Sequence, residues 1–475
     1  MRLAAKRRWM NPWWEERPQR PSFWRQLTPA QLFAASFLAL IVFGSVGLKT
    51  LPGLYTGPSL GWTDAIFTAA SAACVTGLML VDTSTYFTPV GQAFLLLLIQ
   101  LGGLGMIAFT TLIILALGRR LSLRHERLAA TVAEVAPRVR VESLARNVMR
   151  FTFAIEAAGA GVLYAAWAPR LGWTEALWPA VFHSVSAFCN AGFSIFPDSL
   201  IGLQRSPDIL LIITVLVLAG SLGFLTVEEV RLWRGTRHSG KRRYRMSVHS
   251  RLALVTTAIL VVGGWVAFAA FEWRGVFADL PAAHKVVNAL FLSITPRSAG
   301  FNSVDYTQAT DSTNFLTILL MFVGGSPGST AGGVKTTTIA LLFLLAWSRL
   351  RGNEVTHAWG RSIPEETIQR AVGLALTAFA LTTASIFLYT FTEHTGVDPE
   401  RTRFLPIMFE AASAINVVGL SLGITETLSS AGKWITIFLM FVGRVGPLTF
   451  AAALALSARR HREQFRYAHE DVIVG

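Results

Sequence analysis

The stretch GGSPGSTAGGVKTTT, residues 324–338, interrupts an otherwise apolar run, NFLTILLMFVGGSPGSTAGGVKTTTIALLFLLAW. A bilayer-spanning helix needs about 20 mostly apolar residues. Small, polar and turn-forming residues, Lys335 among them, instead occupy the middle of this one. The string invites two readings, a phosphate-cradling loop or irregular backbone held at membrane depth. The phosphate loop fails on spacing, because Val334 stands between Gly333 and Lys335 where the nucleotide motif has Gly followed directly by Lys. It fails on context as well, because that motif needs a preceding strand, and here both flanks are span-length apolar helices.

The rest of the chain belongs to the same setting. Of 475 residues, 52% are hydrophobic and 15% charged, with a mean hydropathy of +0.49. Soluble domains carry about 25% charged residues, so this composition is that of a membrane protein. The isoelectric point near 10.5 does not imply a nucleic-acid partner, because the basic residues are scattered between apolar segments. The first apolar run begins near residue 31 and is long enough to span, which predicts a retained anchor and not a cleaved signal. Trp9, Trp13, Trp14 and Trp24 ahead of it read as an interfacial belt. Cys74 and Cys189 lie in apolar hairpins and read as buried thiols, not a disulfide framework.

The decisive feature is an internal repeat. Four segments share one order of span, short apolar helix and second span. The short helices read WTDAIFTAASAACVTGL, WPAVFHSVSAFCNAGF, VVNALFLSITPRSAGF and FLPIMFEAASAINVVGL. Each carries Phe67, Phe182, Phe291 or Phe409, then Ser71, Ser186, Thr295 or Ser413 four residues later, then Gly77, Gly192, Gly300 or Gly419. The Phe-to-Gly step is 10, 10, 9 and 10 residues, the third being one short near Pro296. The second spans carry LIQLGGLGM, LVLAGSLGF, MFVGGSPGS and MFVGRVGPL, each starting a small-residue break 24 to 28 residues after the motif glycine. The short helices are too short to cross and read as re-entrant segments.

The expected fold is therefore an all-α membrane protein, with eight transmembrane helices in four pseudo-repeats around a central pore. Repeat 1 covers 30–118, repeat 2 covers 151–232, repeat 3 covers 251–349 and repeat 4 covers 370–458. The termini, 1–29 and 459–475, and the loops 119–150, 233–250 and 350–369 fall on one side. Those regions and their borders hold 31 of the 42 Lys and Arg residues, so the positive-inside rule predicts that they are cytoplasmic. The opposite side holds nine: Lys49, Arg170, Arg205, Arg274, Lys285, Arg297, Arg401, Arg403 and Lys433. The glycine motifs then face outward.

Non-helical backbone at bilayer depth is tolerated only where it is buried in protein or lines water. Four such loops at equivalent places can share one axis, and rings of backbone carbonyls replace the hydration shell of a cation. The helices entering from outside direct their partly negative C-terminal ends at that axis. The expected filter comprises Val75, Thr76, Gly77 and Leu78; Asn190, Ala191, Gly192 and Phe193; Ser298, Ala299, Gly300 and Phe301; and Val417, Val418, Gly419 and Leu420. It contains no Asp or Glu ring, so the residues imply a cation pore built from backbone.

The half-helix endings, the AGFN of the third repeat and GGSPGSTAGGVKTT together resemble the superfamily of K+ transporters comprising Ktr, Trk and HKT proteins. The resemblance covers about residues 30–458, and eight spans are most similar to the bacterial Ktr-type membrane subunit. It implies K+ uptake across the cytoplasmic membrane, with Na+ as a candidate activator, and no enzymatic activity. In the family, glycine at all four filter positions goes with K+ preference, while serine in the first repeat goes with Na+ permeation; here the first position is Gly77. A Na+-permeable member and an unrelated secondary transporter remain as alternatives.

The resemblance also assigns the opening stretch as an intramembrane gate. The gate residues are Gly324, Gly325, Ser326, Pro327, Gly328, Ser329, Thr330, Ala331, Gly332, Gly333 and Lys335, together with Arg444 in the GRVG of repeat 4. An ionisable residue within a span marks function by default, and Arg444 is expected to form an electrostatic barrier or to anchor the loop. Asp64, Glu156, Glu228 and Glu410 read as capping groups or partners of loop cations. Asn190, Asn302 and Asn416 read as filter buttresses or ion contacts. The chain has no nucleotide-binding domain of its own and is expected to bind no nucleotide. The resemblance implies a homodimer and a separate cytosolic RCK-type ring binding ATP or ADP, with the tail from Arg459 as a candidate contact.

Overall fold

The computed structural model describes residues 29–124, 141–238, 245–393 and 404–446. The tryptophan belt, Arg401, Arg403, much of the 119–150 loop, part of the 233–250 loop and the chain beyond residue 446 lie outside the described residues.

Four first spans, α1 (Pro29–Thr50), α4 (Val141–Leu171), α8 (Val248–Glu272) and α12 (Glu365–Thr392), each precede a short helix. These short helices are α2 (Trp62–Cys74), α5 (Leu177–Cys189), α9 (Ala282–Ile294) and α13 (Phe404–Ile415). At 12 or 13 residues and about 1.5 Å per residue they reach only some 20 Å, short of the ~30 Å hydrocarbon core. The repeat anticipated from sequence is present, and most of the described chain is helical. A short antiparallel hairpin pairs β1 (His357–Ala358) with β2 (Arg361–Ser362).

The second spans differ from one another. In repeat 1, α3 (Pro89–Arg124) passes through Gly102, Gly103 and Gly105 without interruption. In repeat 2, α6 (Pro207–Ser221) and α7 (Phe224–His238) meet at a 99° bend. In repeat 3, α10 (Asp311–Met321) and α11 (Thr336–Leu350) flank the 324–335 loop. In repeat 4, α14 (Ser430–Val445) stays helical past Gly443. The sequence leads one to expect equivalent breaks in all four, but the structure breaks two. Gly102 and Gly443 serve close approach instead, since a Cβ on either would collide with a carbonyl of a short helix, Ala73 or Ile415.

Among the described residues, five helices are long and apolar enough to cross a bilayer, and the bent α6–α7 pair makes a sixth, by length and composition alone. The seventh expected span is the divided α10–α11 pair, and the eighth falls on α14, beyond which the chain is described only to Gly446. Outward faces are apolar: Leu38, Val42, Phe43, Ile259, Val266 and Phe379 are exposed. The short helices are buried mainly in their C-terminal halves. Large exposed apolar area on long helices around a buried polar centre is the pattern of a lipid-embedded protein.

The repeats close on themselves. Each second span packs against the short helix of the next repeat: α3 on α5, α6 on α9, α10 on α13 and α14 on α2. This cyclic order places the four short-helix C-termini around one axis.

Candidate functional site: four glycine loops over an inserted loop

Each short helix ends in the same backbone conformation. Val75, Asn190, Ser298 and Val417 have φ of +60°, +58°, +77° and +56°, and Gly77, Gly192, Gly300 and Gly419 have +94°, +70°, +77° and +95°. A left-handed residue is unfavourable by about 1–2 kcal/mol for anything but glycine, and a β-branched one such as Val75 or Val417 is a true outlier. Hydrogen bonds of a Schellman end hold three of them. In repeat 1, Val75 N–H donates to Ala72 O (3.1 Å) and Thr76 N–H to Ser71 O (2.8 Å); repeats 2 and 4 repeat the pattern through Asn190–Ala191 and Val417–Val418. Repeat 3, one residue shorter, reaches the same place through Ala299 N–H on Thr295 O (2.9 Å).

The Ser or Thr spaced four residues after each motif Phe braces its own loop. Ser71 Oγ accepts from Gly77 N–H (3.1 Å) and Ser413 Oγ from Gly419 N–H (3.0 Å). Ser186 and Thr295 donate instead to the carbonyls of Phe193 (2.7 Å) and Phe301 (2.6 Å).

The glycines meet in a ring. A Cβ on Gly192 would lie 2.9 Å from both Ala299 O and Gly300 Cα. A Cβ on Gly300 would strike Val418 O, one on Gly419 would strike Thr76 O, and one on Gly77 would strike Ala191 O. The order 1–2–3–4–1 is the cycle made by the helices. The four glycines singled out from sequence, with Thr76, Ala191, Ala299 and Val418, thus come together in one ring, without an ionisable side chain among them.

The 324–335 loop lies against this ring and threads into the bend of repeat 2. Ser326 N–H donates to Ser221 O (2.8 Å), Thr330 N–H to Gly220 O (3.2 Å), and Phe224 N–H to Gly328 O (3.0 Å). Gly223, at φ +80°, makes the turn, with its Cα so close to Pro327 O that a Cβ would lie 2.5 Å from it. The loop base is zipped by Gly324 N–H on Val334 O (2.9 Å). Lys335 turns back to its own loop and donates to Ala331 O (2.6 Å).

Three side chains tie loop to ring. Asn190 Nδ2 donates to Thr330 Oγ1 (2.7 Å), and that hydroxyl lies 3.1 Å from both Phe188 O and Gly220 O. Ser298 Oγ accepts from Gly332 N–H (2.9 Å) and donates to Val417 O (2.8 Å). Arg444, fully buried, donates to Thr330 O and, at 3.0 Å, to Gly102 O. No carboxylate pairs with it among the described residues, and its Nε has no partner. Of the two expectations for Arg444, its hydrogen bonds to Thr330 O and Gly102 O fit the anchoring of the loop.

Several expectations are refined. Arg297, placed by sequence among the outer loops, is buried at the end of the third short helix, its Nη2 3.4 Å from Gly324 O. Its position directly before a glycine loop, not its charge, is the signal that would have found it. Asn190 buttresses the inserted loop, whereas Asn416 Nδ2 caps back onto Ala412 O (3.0 Å). Asp64 pairs with Lys433 (2.7 Å), and Glu228 lies 3.8 Å from Arg231. Glu410 has no cation partner among the described residues; Ser421 (2.8 Å) and Thr425 (2.7 Å) donate to its carboxylate. Cys74 and Cys189 are free and buried.

Fold and site define a membrane protein of four span–re-entrant helix–span units closed about a backbone-lined constriction. The chain belongs to the TrkH family of cation transport proteins, whose family model matches residues 22–461. It is thus a cation transporter and not an enzyme. It is 37% identical over 454 residues to the Ktr system potassium uptake protein B of Bacillus subtilis, covering 95% of this chain and 98% of that relative. It is 34% identical over 453 residues to the potassium/sodium uptake protein NtpJ of Enterococcus hirae, with the same coverage of each. The crystal structure of the potassium transporter TrkH from Vibrio parahaemolyticus superposes with a TM-score of 0.71 at 20% identity, covering 92% of this chain and 87% of that one.

Proposed function

We propose that this chain takes up K+ across the cytoplasmic membrane through the four glycine loops, and that the 324–335 loop gates the path. The observation that carries the reading is the closed cycle of the four glycines, each backed by the carbonyl of the next repeat. Alternating left-handed residues at the first and third positions of each loop suit a run of carbonyls facing one axis, and such rings replace a cation's hydration shell. The relatives named for potassium uptake support the choice of ion. Thr330 and Gly332 bond to residues of the glycine ring, which supports the loop as a plug on the cytoplasmic side.

The proposal extends to the setting. Both termini are cytoplasmic, in keeping with the lysine and arginine bias. The transporter works as a homodimer on a separate RCK-type ring that binds ATP or ADP, and Na+ acts as activator. Growth of a K+-uptake-deficient bacterium at low K+ tests the central claim. The wild-type chain is expected to restore growth, and Gly77→Asp or Gly300→Asp to abolish it while the protein still reaches the membrane. Normal rescue by either variant would remove the loops from the ion path. The name of the Enterococcus relative supports a second reading, a Na+-permeable transporter, which a reversal potential in mixed Na+ and K+ separates from the first.

A further inference from the structure

Between α3, α4 and α5, on the lipid-facing side of the repeat 1–repeat 2 seam, lies a cleft of about 590 Å³. That volume falls in the range of small-molecule sites, about 300–1,000 Å³. Its wall is apolar, with Leu96, Leu97, Phe153 and Val181 contributing, and two polar side chains converge at one end, Gln100 and Glu156. Glu156 is only 5% exposed.

The carboxylate there is under-served. It accepts one hydrogen bond, from Gln100 Nε2 at 3.1 Å, and its other oxygen meets only the Cys189 thiol at 3.8 Å. A carboxylate offers about four acceptor positions. No Lys, Arg or His pairs with it among the described residues. Glu410, the other deeply buried carboxylate near the ring, has a hydroxyl donor on each oxygen, so the deficit is specific to the cleft. A carboxylate in a span is costly to insert and ordinarily faces a partner or a cavity.

We infer that this cleft is a binding site for a hydrophobic monocation, an alkylammonium-type amphiphile that enters from the bilayer with its head on Glu156 and Gln100 and its tail along the apolar wall. The acceptor oxygens of Glu156 and Gln100 select a donor head, and the wall selects the tail. The site reaches the glycine ring by a short path. Cys189 touches Glu156 and Gln100 and directly precedes Asn190, and Ser184 on the same short helix donates to Glu156 O (2.7 Å). An occupied cleft therefore bears on the repeat 2 loop.

The test uses the full-length protein in lipid nanodiscs of fixed composition, read by thermal unfolding, a readout independent of which ion is carried. Octylamine, a cation at pH 7 as a lysine side chain is, is compared with octanol at matched membrane concentration. Octylamine is expected to raise the unfolding midpoint by about 3 °C at saturation, and octanol to leave it unmoved. Glu156→Gln removes the gain, and Val181→Trp, which fills the cleft without touching the carboxylate, removes it too. An equal shift with octanol would show a tail-filled void and overturn the inference. A gain that survives either substitution would overturn it as well, and the second variant decides the matter where the first does not fold.

Discussion

The guanidinium of Arg444 donates to the carbonyl of Thr330, joining the last described helix of repeat 4 to the loop inserted by repeat 3. The same side chain reaches Gly102 O in repeat 1 at 3.0 Å, so one residue spans three repeats. A hydrogen bond from a charged donor contributes about 1.5–3 kcal/mol, and each 1.4 kcal/mol is tenfold in an equilibrium. Arg444→Ala is therefore expected to raise Rb+ flux into proteoliposomes about 10- to 100-fold with no nucleotide or regulatory subunit present. Arg444→Lys keeps the charge but loses the planar fork that serves two carbonyls, and is expected to fall between. Unchanged flux in the alanine variant would mean that Arg444 does not hold the loop closed.

Asn190 and Thr330 give a second test, because their bond couples the ring directly to the loop at 2.7 Å. Thr330→Val leaves a buried amide donor unsatisfied, at a cost of about 1–3 kcal/mol. Asn190→Ala and Thr330→Val should each raise basal flux, and the double variant should raise it by less than the product of the two. A coupling of about 1 kcal/mol is expected for residues in contact. Independent effects would show that the bond is present but idle.

Gly192 tests the ring itself. Alanine there puts a methyl 2.9 Å from the Ala299 carbonyl oxygen, at a backbone φ of +70°. Left-handed strain alone costs about 1–3 kcal/mol, and backbone on the opposing side leaves little room to yield. Gly192→Ala is expected to lose K+ uptake by at least about tenfold. Gly57→Ala, where a Cβ meets nothing within 4 Å, should behave as wild type in the same uptake assay. Equal activity of the two variants would contradict a tight ring.

The ring was legible in the sequence because its chemistry is local. The Phe, the Ser or Thr and the Gly of repeat 1 recur in every repeat, the Gly one residue closer in the third, and each Ser or Thr bonds within its own repeat. The bend of repeat 2 was not legible. Gly223 follows an ordinary apolar run, and what fills the bend, Ser326 to Thr330, lies about a hundred residues downstream. Arg297 was misplaced for a related reason. A lone arginine after a proline looks like a loop cation, and only the return of Gly324 beneath it makes that place an interior. Arg444 was found by its charge, but its partners are carbonyls, which carry no sequence signature.

His183 and Glu410 occupy matching positions in repeats 2 and 4, each directly after its motif Phe, and each holds the serine two residues beyond its glycine. His183 Nε2 lies 2.9 Å from Ser194 Oγ, and Glu410 accepts from Ser421 at 2.8 Å. These bonds set the outer end of two facing loops, so they are expected to influence which ion fits and not how fast the loop below opens. His183→Phe keeps the stack on Phe196, whose ring centroid is 4.8 Å away, while removing the bond. Glu410→Gln leaves Thr425 or Ser421 without an acceptor. Each loss is worth about 1–3 kcal/mol, enough to lower the K+ to Na+ permeability ratio by about tenfold, read from reversal potentials in mixed salt. Asp208→Asn serves as the control, because its pair with Arg170 is solvent-exposed and such pairs contribute about 0–1 kcal/mol. A fall in selectivity in the control, or none in either loop variant, would show that the two serines do not set the outer end of the ring.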